Sequence, residues 1–347
     1  MKAALYRTHG DASVLEYVEA ADPVAGPGEV LVAVAAVGLN RMDLLQREGP
    51  GMMPGFELPH IAGMDVAGTV VAVGSDVATA RIGERVVVNP AISCGRCPAC
   101  LRGAGEFCTD REVIGASRPG GYGSLCTVPS THAIAVPDHV DLVEAAAVPT
   151  IYSLAWHGLF TTGHLAIGET VLIHAAGSGV TTAAVHLAKR AGARVIVTSI
   201  VAAEREHAQA HGADEFIDTT TTDVVDAVLD LTGGRGVDMV FDHLGPALFS
   251  ESIRSLRPLG RLVFCGTTTG AVVPVLLPEV YRNGIALLGA GGYTFEEFTQ
   301  MLDFCWEARL PSIVDRVLPI AEIRQAHELM AAGTLRGKLV LTHEPTP

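Results

Sequence analysis

The sequence predicts an α/β protein in two parts, a barrel-like β domain followed by a doubly wound parallel sheet. Three observations carry this. In the first third, 29–38, 68–74 and 84–90 are apolar, β-branched runs bounded by turn residues, as strands are. From residue 169 the rhythm changes. The segments 171–175, 194–199, 215–218, 237–242 and 261–266 are short apolar runs about 20 to 25 residues apart, the pattern of parallel strands buried on both faces. Between them 182–191 and 204–211 read as helices, each followed by a glycine, Gly192 and Gly212, suited to the left-handed position past a helix end. Strand and helix alternating at this period make a parallel sheet with helices on both faces. From about residue 275 the chain returns to mixed strand and helix, with no internal repeat or low-complexity segment.

Composition narrows the function classes. With 347 residues, 49% of them hydrophobic, the chain has material for about two domain cores. Twenty-four basic against 38 acidic residues give a net charge of −14, with no basic stripe, so nucleic acid and anionic membrane surfaces are not expected partners. The apolar stretch at the start is too short for a signal peptide, and no apolar run reaches the roughly 18 residues that span a bilayer. Seven cysteines, four of them clustered, fit a reducing cytoplasm and one metal loop. The other three, Cys126, Cys265 and Cys305, read as small buried hydrophobes.

The cluster is Cys94, Cys97, Cys100 and Cys108, in the spacing C-x2-C-x2-C-x7-C. One short loop with this spacing wraps four thiolates around a tetrahedral ion, and four cysteines leave no coordination position for substrate. The pattern therefore points to one structural zinc per chain, held by a lobe at about 92–110. Iron–sulfur ligation also uses C-x2-C-x2-C, but its bacterial form closes with three residues and a Cys-Pro, where this loop has seven. Reactive thiols are the third reading.

The segment 171–184 has the strand, tight turn and helix that a dinucleotide fingerprint requires. Gly177, Ser178, Gly179 and Val180 form the turn, where backbone amides at the helix start would take a pyrophosphate. A third glycine is missing; Thr181 and Thr182 stand near its place. A tight turn with no ligand is the bland alternative. At the end of the second strand, Thr198, Ser199 and Ile200 offer hydroxyls and no carboxylate, so a ribose 2′-phosphate is not repelled. NADP(H) is the expected cofactor on that ground, with NAD(H) left open because Glu204 precedes Arg205. Asp242, Cys265 and Gly266 lie at the C-terminal ends of parallel strands, where such sheets bind ligands, and are assigned to the cofactor.

Taken together, 38–44, 59–68, the four-cysteine lobe, Gly120-Gly121-Tyr122-Gly123, 144–149, 233–238 and Gly337-Lys338-Leu339-Val340-Leu341 resemble the medium-chain dehydrogenase/reductase superfamily over nearly the full length. The nearest branch is the zinc-binding alcohol dehydrogenase-like group related to quinone oxidoreductases. The resemblance implies a GroES-like β domain from both chain ends (1–134 and 275–347), an inserted Rossmann domain (135–274), and catalysis in a cleft between them. It also implies a homodimer paired through an edge strand, for which 285–289 is the apolar candidate.

Carried over residue by residue, the family's catalytic zinc site fails. Asn40 stands where zinc alcohol dehydrogenases have a cysteine, and Met64 and Asp65 stand in place of His and Glu. The third ligand falls near Thr150, which is assigned to the cofactor instead. Amide, thioether and hydroxyl do not make a tight zinc site. Asn40 either holds a substrate oxygen or caps a turn. Asp43 is a candidate catalytic carboxylate or a helix-start residue favoured by the dipole. Asp65 is a proton relay or a structural group bonded to backbone.

Without a metal to polarise an alcohol or ketone, hydride transfer to a quinone or an α,β-unsaturated carbonyl is the easier chemistry. The expected function is thus an NAD(P)H-dependent quinone or enoyl reductase acting on a small molecule. The alternatives are an alcohol or ketone oxidoreductase for one biosynthetic intermediate, and a nucleotide-binding protein with little turnover. Pocket shape is expected to depend on the loops 49–56 and 292–295.

Overall fold

A computed structural model describes residues 1–49 and 55–344. Part of the expected pocket loop, residues 50–54, lies outside the described residues. The chain divides into two compact units, 1–150 with 294–347, and 151–293.

The first unit is built on a seven-stranded sheet among the described residues. Its strands run in the order Val314–Pro319, Lys338–Thr342, Glu29–Gly38, Asp65–Val73, Arg85–Val88 and Ala133–Ala135, and Leu125–Pro129 also pairs with Glu29–Gly38. Lys338–Thr342 pairs antiparallel with Glu29–Gly38, so strands from the two chain ends share one sheet. Alternating Val30, Val32 and Val34 on the central strand point into a core with Val66, Val70, Val86, Val128 and Leu339. Gly38 is the hinge of the arrangement: it pairs with Val340 on one side and with Asp65 on the other. The helix Arg41–Glu48 leaves this strand directly.

The second unit is a six-stranded, wholly parallel sheet among the described residues. Its order is Glu215–Asp218, Arg194–Ser199, Thr170–Ile173, Val237–Asp242, Leu256–Phe264 and Ala286–Gly289. In chain order that is 3-2-1-4-5-6, the dinucleotide-binding arrangement with its switch point between the first and fourth strands. The first strand is buried throughout because helices cover both faces. Helices Gly179–Arg190 and Glu204–Ala210 follow the first two strands, and Gly192 and Gly212 take the left-handed φ that ends each turn.

Both expected domain boundaries move. The segment 135–150 belongs to the first unit, because the helix Leu142–Ala146 packs on the strand Glu29–Gly38. The segment 275–293 belongs to the second, because Ala286–Gly289 hydrogen-bonds to Leu256–Phe264 as a sixth, edge strand. No helix of the described residues is long and apolar enough to cross a membrane.

Candidate functional site

The first unit holds a closed polar cluster where the strands around Gly38 converge. Lys338 Nζ donates to Asn40 Oδ1 at 2.5 Å and to Asp65 Oδ2 at 2.8 Å. Asn40 Nδ2 donates to the same Asp65 Oδ2 at 2.9 Å. The other oxygen, Asp65 Oδ1, accepts from the Thr150 hydroxyl at 2.5 Å and the Thr150 amide at 3.1 Å. The Lys338 and Asp65 side chains are 3% and 0% exposed. A buried ion pair of this kind offsets its desolvation only when the remaining lone pairs are also satisfied, and here four donors converge on one carboxylate. Gly38 makes room for it, since a Cβ there would lie 2.9 Å from Lys338 Cε and would strike the Ala146 carbonyl oxygen.

Asp43 fastens the two loops that carry the cluster. Its Oδ2 accepts from the Asn40 amide at 2.8 Å and its Oδ1 from the Gly63 amide at 3.2 Å. Burial raises its carboxyl to about 7, opposed by the Asn40 amide and the Lys338 ammonium. Asn40 is the residue before helix Arg41–Glu48, and its side chain bonds Asp65 and Lys338.

Asn40, Asp43, Asp65 and Thr150 are thus brought together, with Thr150 bonded to Asp65. Lys338 is the member that sequence reasoning missed. Its Gly-Lys motif was visible; its partners lie some 300 positions away. The donor set does not suit a catalytic zinc. The positions that the resemblance assigns to metal ligands carry an amide, a thioether and a hydroxyl, and the Asp65 carboxylate is already paired with an ammonium.

The cysteine lobe does suit a metal. A short ladder of Ala91–Ile92 with Glu112–Val113 closes the base of the loop. The four sulfurs of Cys94, Cys97, Cys100 and Cys108 lie within 4.8 Å of one another, and none is in a disulfide. Cys94 to Cys100 is 4.0 Å and Cys97 to Cys100 is 3.5 Å. A tetrahedral zinc with bonds of about 2.3 Å sets sulfurs about 3.8 Å apart, so the lobe has the room of one ion rather than a multi-iron cluster. Amides point at the sulfurs, from Cys94 to Cys108 and from Cys97 to Cys94, each at 3.3 Å. Backbone N–H groups of Cys100 and Thr109 pull the Cys97 thiol down to about 6, toward the thiolate a metal needs.

In the second unit the turn Gly177–Ser178 leads into helix Gly179–Arg190, whose first amides have no helical partner. That fits the pyrophosphate of a dinucleotide. Thr181 replaces the expected third glycine and ties helix to strand. Its hydroxyl donates to the His174 carbonyl at 2.6 Å, and His243 Nε2 lies 2.9 Å from it. Thr198 is buried, with its hydroxyl 2.9 Å from His174 Nδ1. Ser199 donates to a carboxylate, Glu204 Oε2, at 2.6 Å. Asp242 Oδ1 accepts from the amides of Leu244 and Gly245, while Oδ2 is a buried oxygen with no partner beside the switch point. Cys265 donates its amide to the Asp242 carbonyl at 3.0 Å, and Gly266 follows it. This cradle fits a nicotinamide dinucleotide.

Residues 26–138 match the family model for the alcohol dehydrogenase GroES-like domain, and residues 179–307 match that for zinc-binding dehydrogenase. An alcohol dehydrogenase of Geobacillus stearothermophilus is 30% identical over 342 residues, covering 98% of each chain. A quinone oxidoreductase of Pseudomonas aeruginosa is 30% identical over 98% of this chain and 99% of its own. The solved structure of an NAD-dependent alcohol dehydrogenase superposes with a TM-score of 0.93 at 35% identity, covering 99% of both chains.

Proposed function

Because the chain belongs to the medium-chain dehydrogenase/reductase superfamily, in its zinc alcohol dehydrogenase-like and quinone oxidoreductase-like branch, and is an NAD(P)-dependent oxidoreductase, we propose that it reduces quinones or α,β-unsaturated carbonyl compounds without a catalytic zinc. The observation that carries this is Lys338, whose ammonium stands among the residues at the family's metal-ligand positions. The bound nicotinamide supplies the hydride. The chain's residues supply a charge-assisted donor: an ammonium has three N–H groups, two of them held by Asn40 and Asp65. The third is the one we assign to the oxygen of the developing enolate, where a preorganised donor in a water-poor site is most effective. Asn40, Asp65 and Thr150 are positioning residues for that ammonium, and Asp43 holds their loops together.

The rival reading, an alcohol or ketone oxidoreductase, draws on the alcohol dehydrogenases among the relatives. We prefer alkene or quinone reduction because one ammonium neutralised by Asp65 polarises an isolated carbonyl less than a zinc ion does. Steady-state assays with quinones, enones, enals and simple ketones separate the two. Lys338→Met should lower kcat at least about tenfold with the KM for nucleotide little changed. Efficient turnover of saturated ketones alone would end the proposal.

A structural zinc in the cysteine lobe and a reducing, cytoplasmic setting belong to the same reading, since all seven cysteines are unpaired. So does a homodimer. Ala286–Gly289 is an open sheet edge, and Leu276, Leu277 and Tyr281 next to it are 62%, 67% and 66% exposed. A dimeric mass in light scattering is the expected result.

A further inference from the structure

We infer that Glu204 selects the dinucleotide, and that it selects NAD(H) over NADP(H). The inference rests on the reading of the second unit as a dinucleotide-binding domain and reverses the cofactor expected from the strand end alone.

In this fold the adenosine ribose lies over the C-terminal end of the second strand, and a carboxylate there accepts from the 2′-hydroxyl. That strand ends at Ser199 with no acid in line. The structure supplies one from five residues further on. Glu204, only 8% exposed, turns back so that its Oε2 accepts from the Ser199 hydroxyl at 2.6 Å and the Gly177 amide at 2.9 Å. The carboxylate thus bridges the glycine turn and the end of the second strand, the two features that flank an adenosine ribose. A Cβ at Gly177 would meet Glu204 Oε1, so the absent side chain lets the carboxylate approach the turn this closely. Both hydrogen bonds fall on Oε2, and Oε1 is the oxygen we assign to the ribose hydroxyl.

The neighbouring charges do not offset it. Arg205, the nearest cation in sequence, stacks on Phe216 at 4.7 Å and donates to the Phe216 carbonyl at 3.4 Å. Asp218, which pairs in register with Ser199, adds a second carboxylate at the same sheet end and is occupied by Thr220. A 2′-phosphate brought here meets a buried carboxylate, and Arg205, the cation near Asp218, is already engaged by Phe216.

The test is calorimetric or fluorescence titration of the purified full chain with NADH and NADPH. The expected result is NADH binding at least about tenfold tighter than NADPH, with the ratio narrowed at least about fivefold in Glu204→Gln, chiefly by improved NADPH binding. Equal or tighter binding of NADPH by the unaltered protein would overturn the inference whether or not the variant folds. An unchanged ratio in a folded Glu204→Gln protein would overturn it as well. Binding of neither nucleotide would refute the dinucleotide reading itself and the inference with it.

Discussion

Lys338 and Asp65 meet at 2.8 Å, Nζ to Oδ2, 273 positions apart in sequence and with almost no exposure to solvent. The register that joins them is simple. Gly38 lies between the strand that Lys338 opens and the strand that Asp65 opens, and its missing side chain is the space the lysine crosses. On the proposed function, this ammonium is the charge that polarises the substrate oxygen.

Removing one partner should leave the other as an uncompensated buried charge. Lys338→Met is expected to cost about 3–5 kcal/mol of stability. Adding Asp65→Asn should return a large part of it, because the second change removes the stranded carboxylate. Urea unfolding at pH 7 of the two single variants and the double variant gives the coupling.

Gly38→Ala tests the space rather than the charge. The added methyl meets Lys338 Cε at 2.9 Å and the Ala146 carbonyl. Overpacking of this kind costs about 1–3 kcal/mol. The same variant should lose reductase activity in proportion to the displacement of Lys338, with nucleotide binding to the second unit retained.

Metal analysis of the purified protein should give one zinc per chain. Cys97→Ser is expected to abolish it and to lower the melting temperature, while titration with nucleotide is unchanged, because the lobe is a fold device remote in sequence from the glycine turn. Two zinc ions per chain would contradict the reading of the Lys338 cluster.

Asp43 gives a pH dependence of unusual sign. Its carboxyl is raised by burial from 3.8 to about 7 in the folded protein. Between those values the folded state holds a proton that the unfolded state has released, so this group's contribution to stability falls as pH rises from about 4 to about 7 and is level above that. Buried histidines run the other way. His174, lowered to about 4 by burial, favours the folded state as pH rises through that range. The Asp43 component is isolated by difference. The stability of the unaltered protein relative to Asp43→Asn should decline from pH 4 to pH 7, measured by denaturant unfolding.

Much of the second unit was legible because parallel strands covered on both faces are continuous apolar runs. Arg194–Ser199, Glu215–Asp218 and Val237–Asp242 have the bounds expected from sequence. The sixth strand was harder. Ala286–Gly289 is an edge, half exposed: the resemblance marks its apolar run as a candidate edge strand of the parallel sheet, while the expected bounds leave 275–347 with the β domain. The cysteine lobe was legible because its four ligands lie within fifteen residues of one another. The Lys338 cluster was not, because nothing local marks a lysine that is buried by a glycine 300 residues earlier. Glu204 was noted in sequence only as the acid that precedes Arg205, and its place at the strand end was not legible. Inspection of the strand end found no acid, and only the turn into helix Glu204–Ala210 brings the carboxylate back to Ser199.

The central claim is that the chain reduces an activated double bond with an ammonium in place of a catalytic metal. The most direct test is product identification by NMR after NADH- or NADPH-driven turnover of an α,β-unsaturated ketone. The saturated ketone is predicted, formed by the unaltered protein and suppressed in Lys338→Met. Formation of the allylic alcohol would contradict the account.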